Sequence, residues 1–454
     1  MLQSRNTHLQ RSLGLLHATA SNMSTMVGIG PFITFPLIVS AMGGPLAMLG
    51  WIIGAVIAIS DGLVWAELST TIRGEGGSYV YLRESYKKYF GKLMAFLFIW
   101  SFLLSGPLEI ASGYIGMAHY LAFIIPSISD WQIRALAFLT GLVTIVLHYN
   151  RVKFVGFVTV VLWIFMLLTV FLVITVGIFH FNSSYIFPLS NKFSFSFGFL
   201  MGLGNATLIA MYDLLGYYNI CFVEEEVVNP EYVFPRAIIF SVIAVTLIYA
   251  SMNFLVLGML PTNEIINSSH IVTDIFKKFY GNEAAVIITI LVAITAYGSI
   301  YSLMLSYSRL PFAAARDGFF FSWLNVLHPE KNFPHYSLLL IGGITCIASL
   351  FDLGFIISAT LSSRILIQFL GQIIGLHLLR KDYPDLKRPF KMWLYPLPSI
   401  LAFIGFSFIF ISSGVEAITL GLGWIILGIF SFLFWAKKHK EWPFAKNNLV
   451  DKNE

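Results

Sequence analysis

The chain has 454 residues, 57% of them hydrophobic and only 11% charged, whereas a soluble domain carries about a quarter charged residues. Apolar runs of about 20 residues recur along it, rather than alternating stretches of about ten, so the composition excludes a soluble domain and a membrane barrel. The net charge of +5 is the modest basic excess that loops on one membrane face supply and points to no nucleic-acid partner; Cys221 and Cys346 lie in apolar segments and suggest neither a disulfide framework nor a metal cluster.

In chain order, the apolar runs predict helices near 13-40, 45-69, 92-125, 132-149, 154-180, 197-222, 237-260, 284-311, 335-351, 353-379, 396-414 and 418-436, an all-α membrane protein of twelve spans. The first run has no Ala-x-Ala-like cleavage site and reads as a span, not a removed signal peptide. Spans nine and ten require a very tight connection at Phe351-Asp352-Leu353-Gly354. Lys and Arg fall in alternate loops: Arg73, Arg83, Lys87, Lys88 and Lys92, then Arg151 and Lys153, then Arg309, Arg316 and Lys331, then Arg380, Lys381, Lys387, Arg388 and Lys391. The opposite loops hold only Lys192, Lys277 and Lys278. Short basic loops stay cytoplasmic, so both termini are expected there, as an even span count requires. No loop is large enough to fold alone. Residues 1-436 therefore read as a single transmembrane domain and 437-454 as a basic cytoplasmic tail. The short loops look bacterial, which points to the inner membrane.

Span one contains Gly28-Ile29-Gly30-Pro31 near its centre. Glycine raises the entropic cost of a helix and proline removes a backbone donor, so the span is expected to break there. A broken backbone is tolerated inside a membrane only where protein or a wet cavity receives its freed N–H and C=O groups, as at a transporter binding site. An inverted repeat places a second break five spans later, and span six reads GLGNATLIAMYDLLGYYNICF, with Asp213 three residues before Gly216.

With the breaks located, the sequence resembles the amino acid-polyamine-organocation (APC) transporter superfamily over nearly its whole length. Gly28-Ile29-Gly30 is similar to the family's glycine motif in its first helix, and Glu67-Leu68 with Gly76-Gly77-Ser78-Tyr79-Val80-Tyr81 to the loop after its second. Glu225-Glu226-Val227-Val228-Asn229-Pro230 with Pro235-Arg236, and Ser308-Arg309 with Ala315-Arg316-Asp317-Gly318, resemble its patterns after helices six and eight. The resemblance implies a LeuT-like fold of two inverted five-helix repeats, 13-180 and 197-379, with helices 1 and 6 broken and two additional helices at 396-436. It also places helix three, which carries Glu109, beside the substrate cavity.

The expected substrate site combines Thr25, Gly28, Ile29 and Gly30 at the first break with Tyr212, Asp213, Gly216 and Tyr217 at the second, and Glu109 from span three. Unsatisfied N–H groups around Gly28 and Gly30, with the positive end of a half-helix starting near Pro31, form a cradle for a substrate carboxylate. The Asp213 carboxylate and unwound carbonyls near it, or Glu109, receive an ammonium group. Mid-membrane acids (Asp61, Glu109, Asp213) outnumber the one clear base, Arg364, which favours amine-bearing cargo or protons over anions. The bulk of Ile29 and Pro31 either restricts the cargo to a small one or shifts its carboxylate onto the Gly30 side of the break. Glu225 and Glu226, with Glu224, are gating candidates through pairs with Arg73, Arg309 or Arg316. No cofactor or metal is expected. The coupling ion is left open between H⁺ and Na⁺: Ser299 and Ser302 could offer oxygens to sodium, and span five lacks the lysine that some proton-coupled members carry beyond Lys153 at its entrance. Without His-Glu-x-x-His or Gly-x-Ser-x-Gly the chain is not expected to be an enzyme. The reading is secondary active transport of a neutral or cationic amino acid by alternating access. Polyamine transport, amino acid exchange and solute sensing without transport are the alternatives.

Overall fold

A computed structural model of the protein describes residues 11–125, 127–187, 196–351, 360, 364–440 and 442–444. Regular structure among them is helical, apart from one isolated bridge pairing Leu13 with Val227. The helices are α1 (Leu15–Met26), α2 (Gly30–Met42), α3 (Met48–Thr71), α4 (Ser78–Ser85), α5 (Gly91–Ala122), α6 (Asp130–His148), α7 (Val152–Phe179), α8 (Phe197–Leu214) and α9 (Pro230–Met259). They continue as α10 (Thr262–Ile266), α11 (Ile271–Tyr280), α12 (Asn282–Tyr307), α13 (Arg309–Arg316), α14 (His335–Ala348), α15 (Gly371–Asp382), α16 (Leu397–Ser412) and α17 (Val415–His439). Among the described residues eight helical stretches are long and apolar enough to cross a membrane, and α1 with α2, bent by 41° at their junction, make a ninth. Two shorter apolar helices, α14 and α16, add to these. The tight connection expected at 352–354 and part of the tenth expected span lie outside the described residues.

Local chemistry explains where the helices start. Ser129 caps α6, its own N–H donating to Gln132 Oε1 at 2.8 Å, so that an otherwise orphaned donor is satisfied. The α9 helix begins at Pro230, seven residues ahead of the run that hydropathy marks, because proline is pre-set for the first helical turn and Asn229 before it adopts φ +50°. Hydropathy does not mark α4 or α11, and its run over 284-311 ends inside α13. In α11, Ile271, Val272, Ile275 and Phe276 are buried while Lys277 and Lys278 are not, an amphipathic pattern that averages away.

Close packing seats the broken spans. Gly50 and Gly54 of α3 face Ala206 and Ala210 of α8, and a Cβ on Gly50 would stand 2.8 Å from that of Ala206. Small residues spaced four apart on both helices let the backbones approach, which in lipid replaces the missing hydrophobic drive for helix association. This contact holds α8 so that its C-terminal end meets the junction of α1 and α2.

Candidate functional site

At the first junction α1 ends at Met26, residues 27–29 leave the helical path, and α2 resumes at Gly30 with Pro31 in its first turn. Two carbonyls freed by the break are taken by side-chain hydroxyls. Ser299 Oγ of α12 donates to Thr25 O at 3.0 Å, and Tyr249 Oη of α9 donates to Met26 O at 2.6 Å.

At the second junction α8 stops at Leu214, Leu215 turns extended, and Gly216 takes φ +118°, which only glycine adopts without strain. A Cβ there would also lie 2.7 Å from Thr25 Cγ2, so the two breaks touch. Asn22 of α1 joins them by hydrogen bonds. Its Nδ2 donates to Tyr217 O at 2.5 Å and its Oδ1 accepts from Ile220 N at 3.1 Å. One buried amide therefore satisfies both a donor and an acceptor of the unwound segment.

Between the junctions lies a cavity of ≈ 50 Å³, lined by Thr25, Gly28, Ile29, Gly30, Glu109 and Ser112 together with Tyr212, Asp213, Ser299 and Ile300. Eight of the residues singled out from sequence converge here: Thr25, Gly28, Ile29, Gly30, Glu109, Tyr212, Asp213 and Ser299. Gly216, Tyr217 and Ser302 do not line it. Gly216 packs on Thr25, Ser302 is fully buried, and the Tyr217 hydroxyl turns to α3, where it donates to Asp61 Oδ2 at 2.5 Å. That bond also accounts for Asp61, an intramembrane acid remote from the cavity.

The two cavity acids have different partners. Glu109 is ion-paired with Arg364 through Nη1, and Tyr307 Oη donates to the same carboxylate oxygen at 2.6 Å. Arg364 Nε in turn donates to Ser105 Oγ at 2.8 Å. Glu109 is thus held as half of a neutral pair. Among the described residues Asp213 has no cation beside it: its Oδ2 lies 2.5 Å from the Thr34 hydroxyl, and its buried Oδ1 has no partner there. That carboxyl covers Gly30 so closely that any Cβ there would overlap it. The Gly30 side of the cradle expected for a ligand is covered by the protein's own acid, and of the two cavity acids Asp213 is the one without a cation beside it among the described residues.

On the Lys- and Arg-rich face, every member of the acidic run after the second break is paired. Glu224 meets Arg73 at 3.4 Å, Glu225 meets Arg316 at 2.8 Å and Glu226 meets Arg309 at 2.9 Å. The last pair is almost wholly buried, at 0% and 4% side-chain exposure, and among the described residues only one Glu226 side-chain oxygen is bonded. Backbone bonds tie the same segment to the start of the chain: Ser12 N and Leu13 N both donate to Glu226 O, and Val228 N donates to Leu13 O. Glu75 lies beneath, accepting from Glu225 N at 2.8 Å. Burial first, and then the charge on neighbouring Glu226, raises its pKa well above the ordinary value of 4.5.

Sequence reasoning missed Asn22, Thr34, Tyr249 and Glu75. Asn22 carried a readable signal, an amide in mid-span six residues before Gly28. The others did not, because a Thr or Tyr in a span commonly bonds its own backbone or packs, and Glu75 sits in a loop.

Helices that cross a membrane and break twice around one small central cavity define a multi-pass solute carrier. The sequence model of the amino acid permease family matches residues 13–434, and the chain belongs to that family. It is 27% identical to the human cystine/glutamate transporter over 443 residues, 95% of this chain and 87% of that protein. It is 26% identical to the serine/threonine exchanger SteT of Bacillus subtilis (94% and 96% covered) and 24% identical to the branched-chain amino acid permease BcaP of the same organism (95% and 94%). The family and these relatives make the chain a membrane permease concerned with amino acids, and not an enzyme.

Proposed function

We propose that this protein moves a small neutral or cationic amino acid across the cytoplasmic membrane by alternating access, its twelve spans forming one domain of two inverted repeats (13-180 and 197-379) plus helices at 396-436, with both termini cytoplasmic. The observation that carries this reading is the meeting of both breaks at a cavity where Asp213 is the acid with no cation beside it among the described residues. An amino acid supplies what that cavity lacks: an ammonium group to pair with Asp213 and a carboxylate for the N–H groups around Gly28. Glu109, already neutralised by Arg364, serves to hold Tyr307 and Arg364 at the cavity wall. At ≈ 50 Å³ the space is far below the roughly 300–1,000 Å³ of a typical ligand pocket. Cargo entry therefore requires the cavity to widen, and small cargo is favoured.

The paired run Glu224 to Glu226 closes the cytoplasmic side in this arrangement, and the three ion pairs separate when it opens. Exchange of one amino acid for another is the second reading, supported by the serine/threonine exchanger among the relatives. The test is radiolabelled amino acid uptake and counterflow in proteoliposomes, with and without sodium and pH gradients. Wild type is expected to transport, Asp213→Asn to lose affinity for cationic cargo most strongly, and Glu109→Gln to lose activity through release of Arg364. Unchanged transport by both variants refutes this site. Binding without counterflow in the wild type would instead make the protein a sensor.

A further inference from the structure

A groove of ≈ 1100 Å³ runs along the outside of the helices, away from the cavity. Its floor is the first turn of α1 (Leu15, Leu16, Thr19), one wall is the outer face of α9 from Pro235 to Leu247, and Trp163 and the Pro389–Trp393 segment close the other sides. Four separate parts of the chain thus build a channel, where a single lipid-facing helix would offer only a convex face. Along α9 the lining reads Ile239, Phe240, Ile243, Ala244 and Leu247, an apolar stripe. From Arg236 to Leu247 the helix rises about 17 Å, enough for much of one acyl chain.

The mouth of the groove has the opposite character. Arg236 stacks on the Tyr232 ring, its Cζ 3.6 Å from the centroid, and Nη1 bonds Tyr232 O. It pairs with no carboxylate among the described residues. The nearby acid at the mouth, Glu231, is turned to Arg73 at 2.5 Å, a guanidinium it shares with Glu224. Trp393, 59% exposed, stands at the same end, as an aromatic anchor at a membrane interface does. A fixed guanidinium at the rim of an apolar channel is the recognition chemistry of a phosphate head with a hydrocarbon tail.

We propose that this groove binds one anionic phospholipid of the leaflet on the Lys- and Arg-rich face, phosphate at Arg236 and an acyl chain along α9. The bound lipid lies against Leu15 and Leu16, two residues from the backbone bonds that join Leu13 to Glu226 and Val228, so it braces the inner half of the first span against the acidic latch. This assignment is independent of the cargo.

Native mass spectrometry of the full chain in mild detergent, offered phosphatidylglycerol or phosphatidylcholine, tests it. Wild type is expected to retain one phosphatidylglycerol with roughly fivefold preference, the worth of one Arg beside an anionic lipid. Arg236→Gln should lose the preference, and Ala244→Phe, which fills the channel, should lose retention of both lipids. Arg236 is exposed, so Arg236→Gln should leave thermal stability in lipid-free detergent unaltered, while Ala244 is half-buried and its variant is compared only where it melts as wild type does. Equal retention of the two lipids by wild type, or an undiminished preference in Arg236→Gln, overturns the proposal. Displacement of the lipid by inorganic phosphate also overturns it, by making the site one for a soluble anion.

Discussion

Replacing Asn22 tests whether the two breaks act as one unit. Its side chain satisfies Tyr217 C=O and Ile220 N–H at once, and both groups are buried where no water reaches. Each buried backbone group left without a partner costs about 1–3 kcal/mol. Asn22→Ala should therefore destabilise the assembled junction by roughly 2–6 kcal/mol, on the order of 30-fold to 10⁴-fold in its population at 1.4 kcal/mol per decade. Substrate affinity, read as Kd by scintillation proximity on purified protein, should fall by a corresponding factor, and the melting temperature should fall with it. Asn22→Leu is the decisive control, because leucine fills the volume of asparagine without either hydrogen bond. If the bonds matter, Leu fails as Ala does. Wild-type affinity in Asn22→Leu would refute the reasoning and reduce Asn22 to a packing residue.

Other substitutions probe the remaining features. Gly216→Ala forces φ +118° on a residue with a Cβ that meets Thr25; strain of about 1–3 kcal/mol should appear as a lower melting temperature and lost binding, and an unaltered variant would mean the segment can repack. Arg309→Met should cost about 3–5 kcal/mol by leaving Glu226 charged and buried, with most of that recovered in the Arg309→Met, Glu226→Gln double variant; a thermal-shift cycle without recovery would deny the pairing. Glu75 predicts a pH effect. Because its pKa is raised in the folded protein, its contribution is full below 4.5 and is lost as pH climbs from there towards the raised value. Glu75→Gln, permanently neutral, should thus gain stability over wild type progressively above pH 4.5; parallel melting curves of the two proteins across pH would contradict the burial of this carboxyl.

The first break was legible in the sequence because its cause is local. Gly28, Gly30 and Pro31 together oppose a helix running unbroken through them, and the observed start of α2 with Pro31 in its first turn follows from proline's missing donor. Gly216 is similar, since its positive φ is a backbone property. The pairing of Glu224, Glu225 and Glu226 with Arg73, Arg316 and Arg309 was within reach as well, charges of opposite sign on loops of one face having few other partners.

Sequence by itself determined the all-helical membrane class, the positions of both breaks and the residue types available to the cavity, because hydropathy, glycine and proline act within a few residues of where they stand. Only the tertiary structure decided which acid has a cation beside it and which does not. Glu109 meets Arg364 across 255 residues and Asp213 meets Thr34 across 179, separations at which sequence carries no record of contact. The same holds for Asn22 and for the direction of the Tyr217 side chain, which leaves the cavity for Asp61. In a low-dielectric interior the cost of a charge depends on the group that faces it, and that group is chosen by how the helices pack.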